Sequence, residues 1–87
     1  MDVPNLDAMS EDDLLAFWSR HQRGRNYREL SPKGKSGNKT AVANLANYAA
    51  NKAAAMACRG RGDIPSALMY EGYCDNIYAA LPAYARW

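Results

Sequence analysis

Positive side chains are concentrated in one stretch of the sequence, between residues 20 and 39. Seven of the eleven Lys and Arg residues lie there, against a single acid, Glu29. Clustered Lys and Arg are typical of segments that neutralise phosphates, and a tyrosine among them can stack on a nucleic-acid base. The candidate polyanion-binding residues are Arg20, Arg23, Arg25, Tyr27, Arg28, Lys33, Lys35 and Lys39.

The same charge also has an internal explanation. Residues 1–19 carry five acids and no base, and residues 40–87 carry four bases and three acids, so the net charge of +2 hides a strong segregation. A basic segment can simply offset an acidic helix. Most of those acids, however, begin the first predicted helix, roughly 15 Å from the end where the basic segment leaves it. This distance exceeds the Debye length at physiological salt, so we expect a net positive surface to remain.

A glycine-containing run from Gly34 to Thr40 invites comparison with a phosphate-binding loop. That motif needs a glycine, four residues and then Gly-Lys-Ser/Thr, and it follows a strand. Glu29 stands where the first glycine is required, and no strand is predicted before it. Nucleotide hydrolysis is therefore not expected. The amides at the start of the following helix, beside Lys35 and Lys39, remain a candidate phosphate site.

Other residues with catalytic chemistry are few and widely separated. Cys58, Cys74 and the only histidine, His21, include no close-spaced pair of the kind that binds zinc. One histidine also leaves no defined base for nucleophilic catalysis, and its place near a helix end indicates a surface residue. Asp12 and Asp13 are explained by stabilisation of a helix N-terminus. We expect no enzymatic activity, no metal, no cofactor and two free thiols.

The element that must position the basic segment is an alanine-rich stretch from Thr40 to Arg59. It contains nine alanines and no Gly or Pro, which predicts a helix about 30 Å long. Its apolar residues form a stripe that indicates a central helix with neighbours on two sides. The opposite, polar face is predicted to hold Thr40, Asn44, Asn47, Asn51 and Cys58.

Two further helices are predicted, one before and one after the central helix. Ser10 and the three acids after it are a helix start signal. Asn38 is a candidate cap for the central helix, and Gly60 or Gly62 ends that helix. Asp63 caps a third helix. The predicted fold class is all-α: one small domain, residues 1–87, with helices near 10–22, 40–59 and 64–81, an antiparallel hairpin and a basic connector over 22–39.

The hydrophobic pattern also predicts the core. Within the connector, Tyr27 and Leu30 are expected to dock a short helical turn on the core, before an exposed loop from Ser31 to Lys39. Trp87 is expected to fold back on the core, because a bulky terminal aromatic would otherwise expose considerable apolar area. The predicted core residues are Leu14, Phe17, Trp18, Val42, Leu45, Ala49, Met56, Tyr70, Ile77 and Leu81.

The turn and the third helix carry a local pattern, Gly62-Asp63, Ala67, Tyr70-Glu71, Ala80 and Pro82. Over about residues 44–82 this pattern resembles a tetratricopeptide helical hairpin, in which two antiparallel helices meet at a Gly-Asp-like turn. The Trp, Leu-Gly and Tyr of that family's first helix are absent here, and the chain holds one copy where about three repeats stack stably. The resemblance implies the hairpin geometry and carries no peptide-binding function.

Two functions fit these observations. The first is a small non-enzymatic binding module whose basic connector contacts nucleic acid or another polyanion. The alternative is a protein-interaction or assembly module that uses the hairpin surface, with self-association open; short single-domain chains of this kind are common in bacteriophage genomes. A helix-turn-helix DNA reader is excluded, because its second helix would carry Asp63, Glu71 and Asp75 and no base towards the phosphates.

The sequence shows no sign of a membrane segment. The first residues contain no basic region followed by an apolar run, and no apolar stretch is long enough to span a bilayer. We therefore expect a soluble, cytoplasmic chain without a membrane partner.

Overall fold

The computed structural model describes residues 3–31 and 38–87. These residues contain helices and turns and no strand, so the predicted all-α fold is confirmed. The three helices are α1 (Glu11–His21), α2 (Lys39–Gly60) and α3 (Ile64–Ala80), each within one residue of its predicted bounds. The short 3₁₀ turns are Leu6–Ala8, Gln22–Gly24, Tyr27–Leu30 and Ala83–Ala85.

Each helix begins at a side chain that accepts a hydrogen bond from the helix's first turn. Ser10 Oγ accepts from the Asp13 N–H at 3.2 Å, and Asn38 Oδ1 accepts from the Ala41 N–H at 3.0 Å. Asp63 Oδ1 accepts from the Ser66 N–H at 3.3 Å. These are the predicted caps, and each satisfies an N–H group that the helix itself leaves without a partner.

A tight turn joins α2 to α3. Gly62 has a φ of +78°, its N–H donates to the Arg59 carbonyl at 3.0 Å, and the Asp63 N–H donates to the Cys58 carbonyl at 2.9 Å. This pair of bonds is the Schellman arrangement, which needs a left-handed residue just past the helix end. The turn reverses the chain, so that α3 packs antiparallel to α2.

The first helix covers only half of α2. Gly24, just after α1, lies against Lys39, and Asp7, just before α1, contacts Tyr48 and Lys52. Helix α1 therefore runs antiparallel to α2, with 11 residues, or about 16 Å, against 22 residues, or about 33 Å. The far end of the α2–α3 hairpin extends past α1 and gives the molecule its extents of 45 × 23 × 20 Å.

The core lies along α2, where α1, the N-terminal segment, α3 and the C-terminal tail meet it. Leu6, Leu14 and Leu45 are the largest fully buried side chains. The predicted core is mostly confirmed: five of its residues are buried, and Phe17, Trp18 and Ile77 pack half-buried at its edge. Tyr70 is half-buried but lies outside the core cluster. The five buried ones are Leu14, Val42, Leu45, Ala49 and Leu81.

Three of the predicted environments were wrong. Met56 is 36% exposed, because it lies in the half of α2 that α1 does not reach. Cys58, predicted on the polar face, is 4% exposed, because α3 covers that side of α2 near the turn. His21 is 3% exposed: its ring packs on Phe17 at 4.6 Å between centroids, and Nδ1 lies 3.2 Å from the Arg25 carbonyl oxygen, since the chain turns back over the end of α1.

Candidate nucleic-acid interface

The first part of the basic segment follows a defined path between α1 and α2. Arg23 and Asn26 adopt left-handed backbone conformations, with φ of 56° and 52°. The Asn26 side-chain amide donates to the Arg20 carbonyl at 3.0 Å, which ties the segment to the last turn of α1. The chain thus turns twice within a few residues and presses against the start of α2.

Tyr27 is the centre of this region. Its ring is half-buried and packs against the core. The Arg28 guanidinium carbon lies 5.6 Å from the ring centroid and Lys39 Nζ lies 5.3 Å from it, while Arg28 Nε donates to the Tyr27 hydroxyl at 3.3 Å. These are cation–π distances. Tyr27 therefore contacts one cation from its own turn and one cation from α2.

Leu30 anchors the same turn, as predicted. It is buried in the core cluster at the end of the 3₁₀ turn Tyr27–Leu30, and the Ser31 hydroxyl donates to the Tyr27 carbonyl at 2.9 Å. A base that stacks on Tyr27 would compete with these two cations for the ring. The geometry therefore favours holding the cations, rather than base stacking, as the contribution of Tyr27.

Arg20 differs from the other cations of the segment because it is paired with an acid. Arg20 Nε donates to Glu29 Oε2 at 2.9 Å, and a second guanidinium nitrogen contacts Oε1. This hydrogen-bonded pairing lowers the pKa of Glu29 and raises the pKa of Arg20. The only acid of the basic segment is thus neutralised by Arg20, and Arg20 is the site residue that the fold does not leave available.

The segment has four other cations among the described residues: Arg23, Arg25, Arg28 and Lys39. All four are exposed and make no ion pair to any residue in the two described ranges. We call these four cations and Tyr27 the basic face. Lys33 and Lys35, which the sequence also assigned to the site, lie outside the described residues, as does most of the glycine-containing run compared with a phosphate-binding loop. The basic face consists of Arg23, Arg25, Tyr27, Arg28 and Lys39.

Two features of the fold add to the positive potential there. The face lies beside the start of α2, where the first N–H groups have no intrahelical acceptor and the helix dipole contributes partial positive charge. The acids of the first turn of α1, Glu11 to Asp13, lie at the other end of that helix. That is about 15 Å along the helix, beyond the Debye length at physiological salt.

A concave site of opposite charge lies elsewhere on the molecule. A cleft of about 380 Å³ is lined by two acids, Asp7 and Asp75, together with Tyr48, Tyr78 and Trp87. Because both acids face the cleft, it repels phosphates and is not the polyanion site. The sequence analysis did not predict this cleft. Its one related prediction was that Trp87, which lines the cleft, would fold back on the core.

Asp7 organises that cleft through two hydrogen bonds and an ion pair. It accepts hydrogen bonds from the Tyr48 hydroxyl and, at 3.0 Å, from Trp87 Nε1, and Lys52 Nζ lies 3.6 Å away. Burial alone would raise the pKa of Asp7, but the hydrogen bonds and the charge of Lys52 bring this pKa below its ordinary value. Burial and the Asp7 hydrogen bond raise the pKa of Tyr48.

Both cysteines are free thiols, as predicted, and both are buried. The Cys74 thiol donates to the Tyr48 carbonyl at 3.8 Å, and burial raises the pKa of Cys74 to about 11. A thiolate is the reactive form of cysteine. Cys74 is therefore held in its unreactive form at neutral pH.

None of the helices in residues 3–31 and 38–87 combines the length and the apolar character needed to cross a bilayer. Comparison of the chain with family models, with curated proteins and with solved structures gives no match. The tetratricopeptide resemblance accordingly stays a prediction that rests on the residues of the turn and of α3. The function has to be inferred from the geometry of the basic face.

Proposed function

We propose that the protein is a small non-enzymatic binding module that contacts nucleic acid, or another polyanion, through the basic face. The observation that supports this function is a group of four exposed cations without an acidic partner among the described residues. The one acid of the segment is already paired with Arg20. Lys33 and Lys35 belong to the proposed site by sequence.

The arrangement of the cations suits a phosphate backbone. Arg28 and Lys39 both approach the Tyr27 ring, so two positive groups from different elements are held at one aromatic side chain. Arg23 and Arg25 come from the preceding turn and extend the positive surface along the segment. Contacts to phosphates position a protein on nucleic acid without reading its sequence. We therefore expect little sequence preference.

The number of cations sets the expected affinity and its salt dependence. Sequence-independent binding through a few phosphates has a Kd in the range of about 10⁻⁴ to 10⁻⁶ M. Four neutralised phosphates give a log–log slope of affinity against salt of about −3 to −4. A slope near zero would mean that binding does not use the basic face.

The proposal includes the absence of catalysis and a cytoplasmic location. The two buried, unpaired thiols support both. Disulfides are uncommon in the cytosol, and the raised pKa of Cys74, about 11, suits a structural thiol better than a nucleophile.

Fluorescence anisotropy with labelled single-stranded and duplex oligonucleotides, over a series of salt concentrations, tests the function. The test variant is Arg28→Ala/Lys39→Ala, which removes the two cations beside Tyr27. Its matched control is Arg61→Ala/Arg86→Ala, which removes the same charge from outside the basic face. The test variant should weaken binding by more than tenfold at low salt and reduce the salt slope by about 1.5 to 2, whereas the control should change both less.

Two results would contradict the proposal. One is a wild-type protein that does not bind at about 50 mM salt, where phosphate contacts are strong. The other is an equal effect of the two double variants, which would indicate attraction by net charge alone. Heparin as a competitor separates the two forms of the proposal: a preference for the oligonucleotides supports nucleic acid, and equal competition supports a general polyanion.

An assembly module remains the second candidate function, because one observation favours it. Four of the large apolar side chains that the described residues expose lie on α3. This surface is distant from the basic face in the fold, so the two functions are compatible.

A further inference from the structure

Helix α3 presents an apolar surface on the side that faces away from α2. Four large side chains there are 43–57% exposed. They are exposed because α2 is the one described helix on which α3 packs closely. Of its 17 residues only Glu71 and Asp75 are charged, and Glu71 is paired with Arg59 at 2.6 Å. The outer α3 face consists of Ile64, Leu68, Met69, Gly72, Tyr73 and Asn76.

A helix that is apolar on all sides is normally buried on all sides. Here the inner side meets α2 through buried Ala67 and Cys74, and the described part of the chain leaves the outer side uncovered. Exposed apolar residues that are contiguous on one helix differ from the single ones found on any surface, and they indicate an interaction site.

Gly72 gives this face a specific shape. It is the middle residue of α3, with eight helical residues on each side. A glycine inside a helix is destabilising relative to alanine. The backbone of Gly72 has an ordinary negative φ, and a β-carbon built on it meets nothing within 4 Å. Packing within the described chain therefore does not require glycine at this position, whereas the absence of a side chain allows another helix to approach closely.

We propose that the outer α3 face binds the same face of a second copy of this chain, with the two α3 helices antiparallel and crossing at Gly72. A two-fold axis through the middle residue makes the contact self-complementary, as a symmetric dimer requires. Leu68 of each copy then lies beside Asn76 of the other, one turn from the crossing. This inference is independent of the basic face.

The charge and the area of the face both favour a second copy. In the antiparallel arrangement the two Asp75 residues lie on opposite sides of the crossing, about 9 Å apart along the axis. The four large side chains expose roughly 300–400 Å² on each copy. Full burial of these side chains and the smaller residues between them, on both copies, would amount to about 1,000 Å², the lower limit for a specific interface. A second copy supplies this area without bringing like charges together.

Sedimentation equilibrium and light scattering on the full chain test the proposal. The wild type should be dimeric at high micromolar concentration. Leu68→Glu should be monomeric with unchanged helix content, since Leu68 is exposed in the single chain. The matched control is Leu15→Glu on α1, which is 44% exposed and should leave the dimer intact.

A second pair of variants tests the crossing point. Gly72→Ala should favour the helix in the single chain but raise the dimer dissociation constant at least tenfold, because its methyl group separates the two helices. Gly60→Ala also meets open space at an ordinary φ, lies outside the face and should not change the dissociation constant. A wild type that is monomeric at about 1 mM, where even a millimolar Kd is detected, would overturn the proposal. So would a dimer that survives Leu68→Glu, or equal effects of the two glycine variants.

Discussion

The carboxylate of Asp7 connects the N-terminal segment to α2 and to the C-terminal tail. Its carboxylate accepts from Tyr48 in the middle of α2 and from Trp87 in the tail, with Lys52 close by. Hydrogen bonds to a charged group are stronger than neutral ones. The ionised form of Asp7 is therefore part of what fixes the N-terminal segment on the core.

The lowered pKa of Asp7 predicts a pH-dependent contribution to stability. A carboxyl group with a lower pKa in the folded state stabilises the fold above its unfolded pKa, near 4, and this contribution is lost as the pH falls through the folded pKa. Asp7→Asn should lower the free energy of unfolding by about 1 kcal/mol at pH 7, a modest value because Asp7 is half-exposed. The difference from wild type should shrink as the pH falls below about 4, through the lowered pKa of folded Asp7.

Urea unfolding at a series of pH values measures this difference. Asp75→Asn is the control: it lies in the same cleft but makes no side-chain hydrogen bond or ion pair within the described residues. It should have a small effect on the free energy of unfolding. A constant difference between Asp7→Asn and wild type, from pH 7 to pH 2, would show that the charge of Asp7 does not contribute.

At the scale of elements, the junction between α1 and α2 positions the basic face. Gly24 is buried there at a φ of +76°. A β-carbon at this position would lie 2.6 Å from the Lys39 carbonyl oxygen and 3.0 Å from the Lys39 β-carbon. The close approach of this turn to the start of α2 brings Lys39 to Tyr27, so both the fold and the basic face depend on glycine here.

Gly24→Ala should destabilise the fold more than Gly62→Ala does. Both glycines have nearly the same positive φ, 76° and 78°, but a β-carbon at Gly62 meets open space. Gly62→Ala should cost about 1–2 kcal/mol for the left-handed backbone alone. Gly24→Ala should cost about 1–3 kcal/mol more, because the turn must move away from α2. Denaturant unfolding gives both values, and equal costs would mean that the junction is not closely packed.

The helices could be predicted from the sequence because their signals are local. Ser10, Asn38 and Asp63 cap the nearest turn, and Gly62 ends α2 through its own backbone. The burial of a residue within a helix does not have a local signal, because it depends on where the neighbouring helix ends. The exposure of Met56 follows from the short length of α1, which no residue near Met56 indicates.

The candidate site could be predicted in composition but not in arrangement. Its cations are evident from charge alone. The pairing of Arg20 with Glu29, and the approach of Lys39 to Tyr27, depend on a chain path set by left-handed residues. Arg23 and Asn26 hold this conformation without being glycine, so the local sequence gives little sign of it. The outer α3 face was likewise hidden, since an apolar helix does not reveal which side a neighbour covers.

At the scale of the whole molecule, the two ends of the described chain meet on the middle of α2. Trp87 packs against Tyr48 and Tyr78, with centroid distances of 4.6 and 4.8 Å, and its indole N–H donates to Asp7, 80 residues earlier in the chain. The Tyr78 hydroxyl donates to the Trp87 carbonyl at 2.8 Å. This contact closes the fold between α1 and α3, which otherwise meet α2 separately.

The packing of Trp87 on Tyr48 and Tyr78 should stabilise the fold. Trp87→Ala should cost about 2–4 kcal/mol, because it removes an aromatic ring packed between two tyrosines. Trp87→Phe retains one ring but removes the hydrogen bond to Asp7 and part of the packed surface, so it should cost less, about 1–2 kcal/mol. In Trp87→Ala, the amides of Ala8 and Met9, which bond within the first 3₁₀ turn, should lose hydrogen-exchange protection although no residue near them in sequence has changed.

Ile77→Ala is the control for that exchange measurement. Ile77 packs half-buried on the core from α3, so its truncation lowers global stability without removing a partner of Asp7. Protection at Ala8 and Met9 should then fall no further than the global stability does. If Trp87→Ala lowers their protection only as far as Ile77→Ala does at matched stability, the two chain ends are not coupled through Asp7. A selective loss in Trp87→Ala would instead mean that the tail holds the N-terminal segment on α2, because local opening exposes amides whose tertiary contacts have been removed.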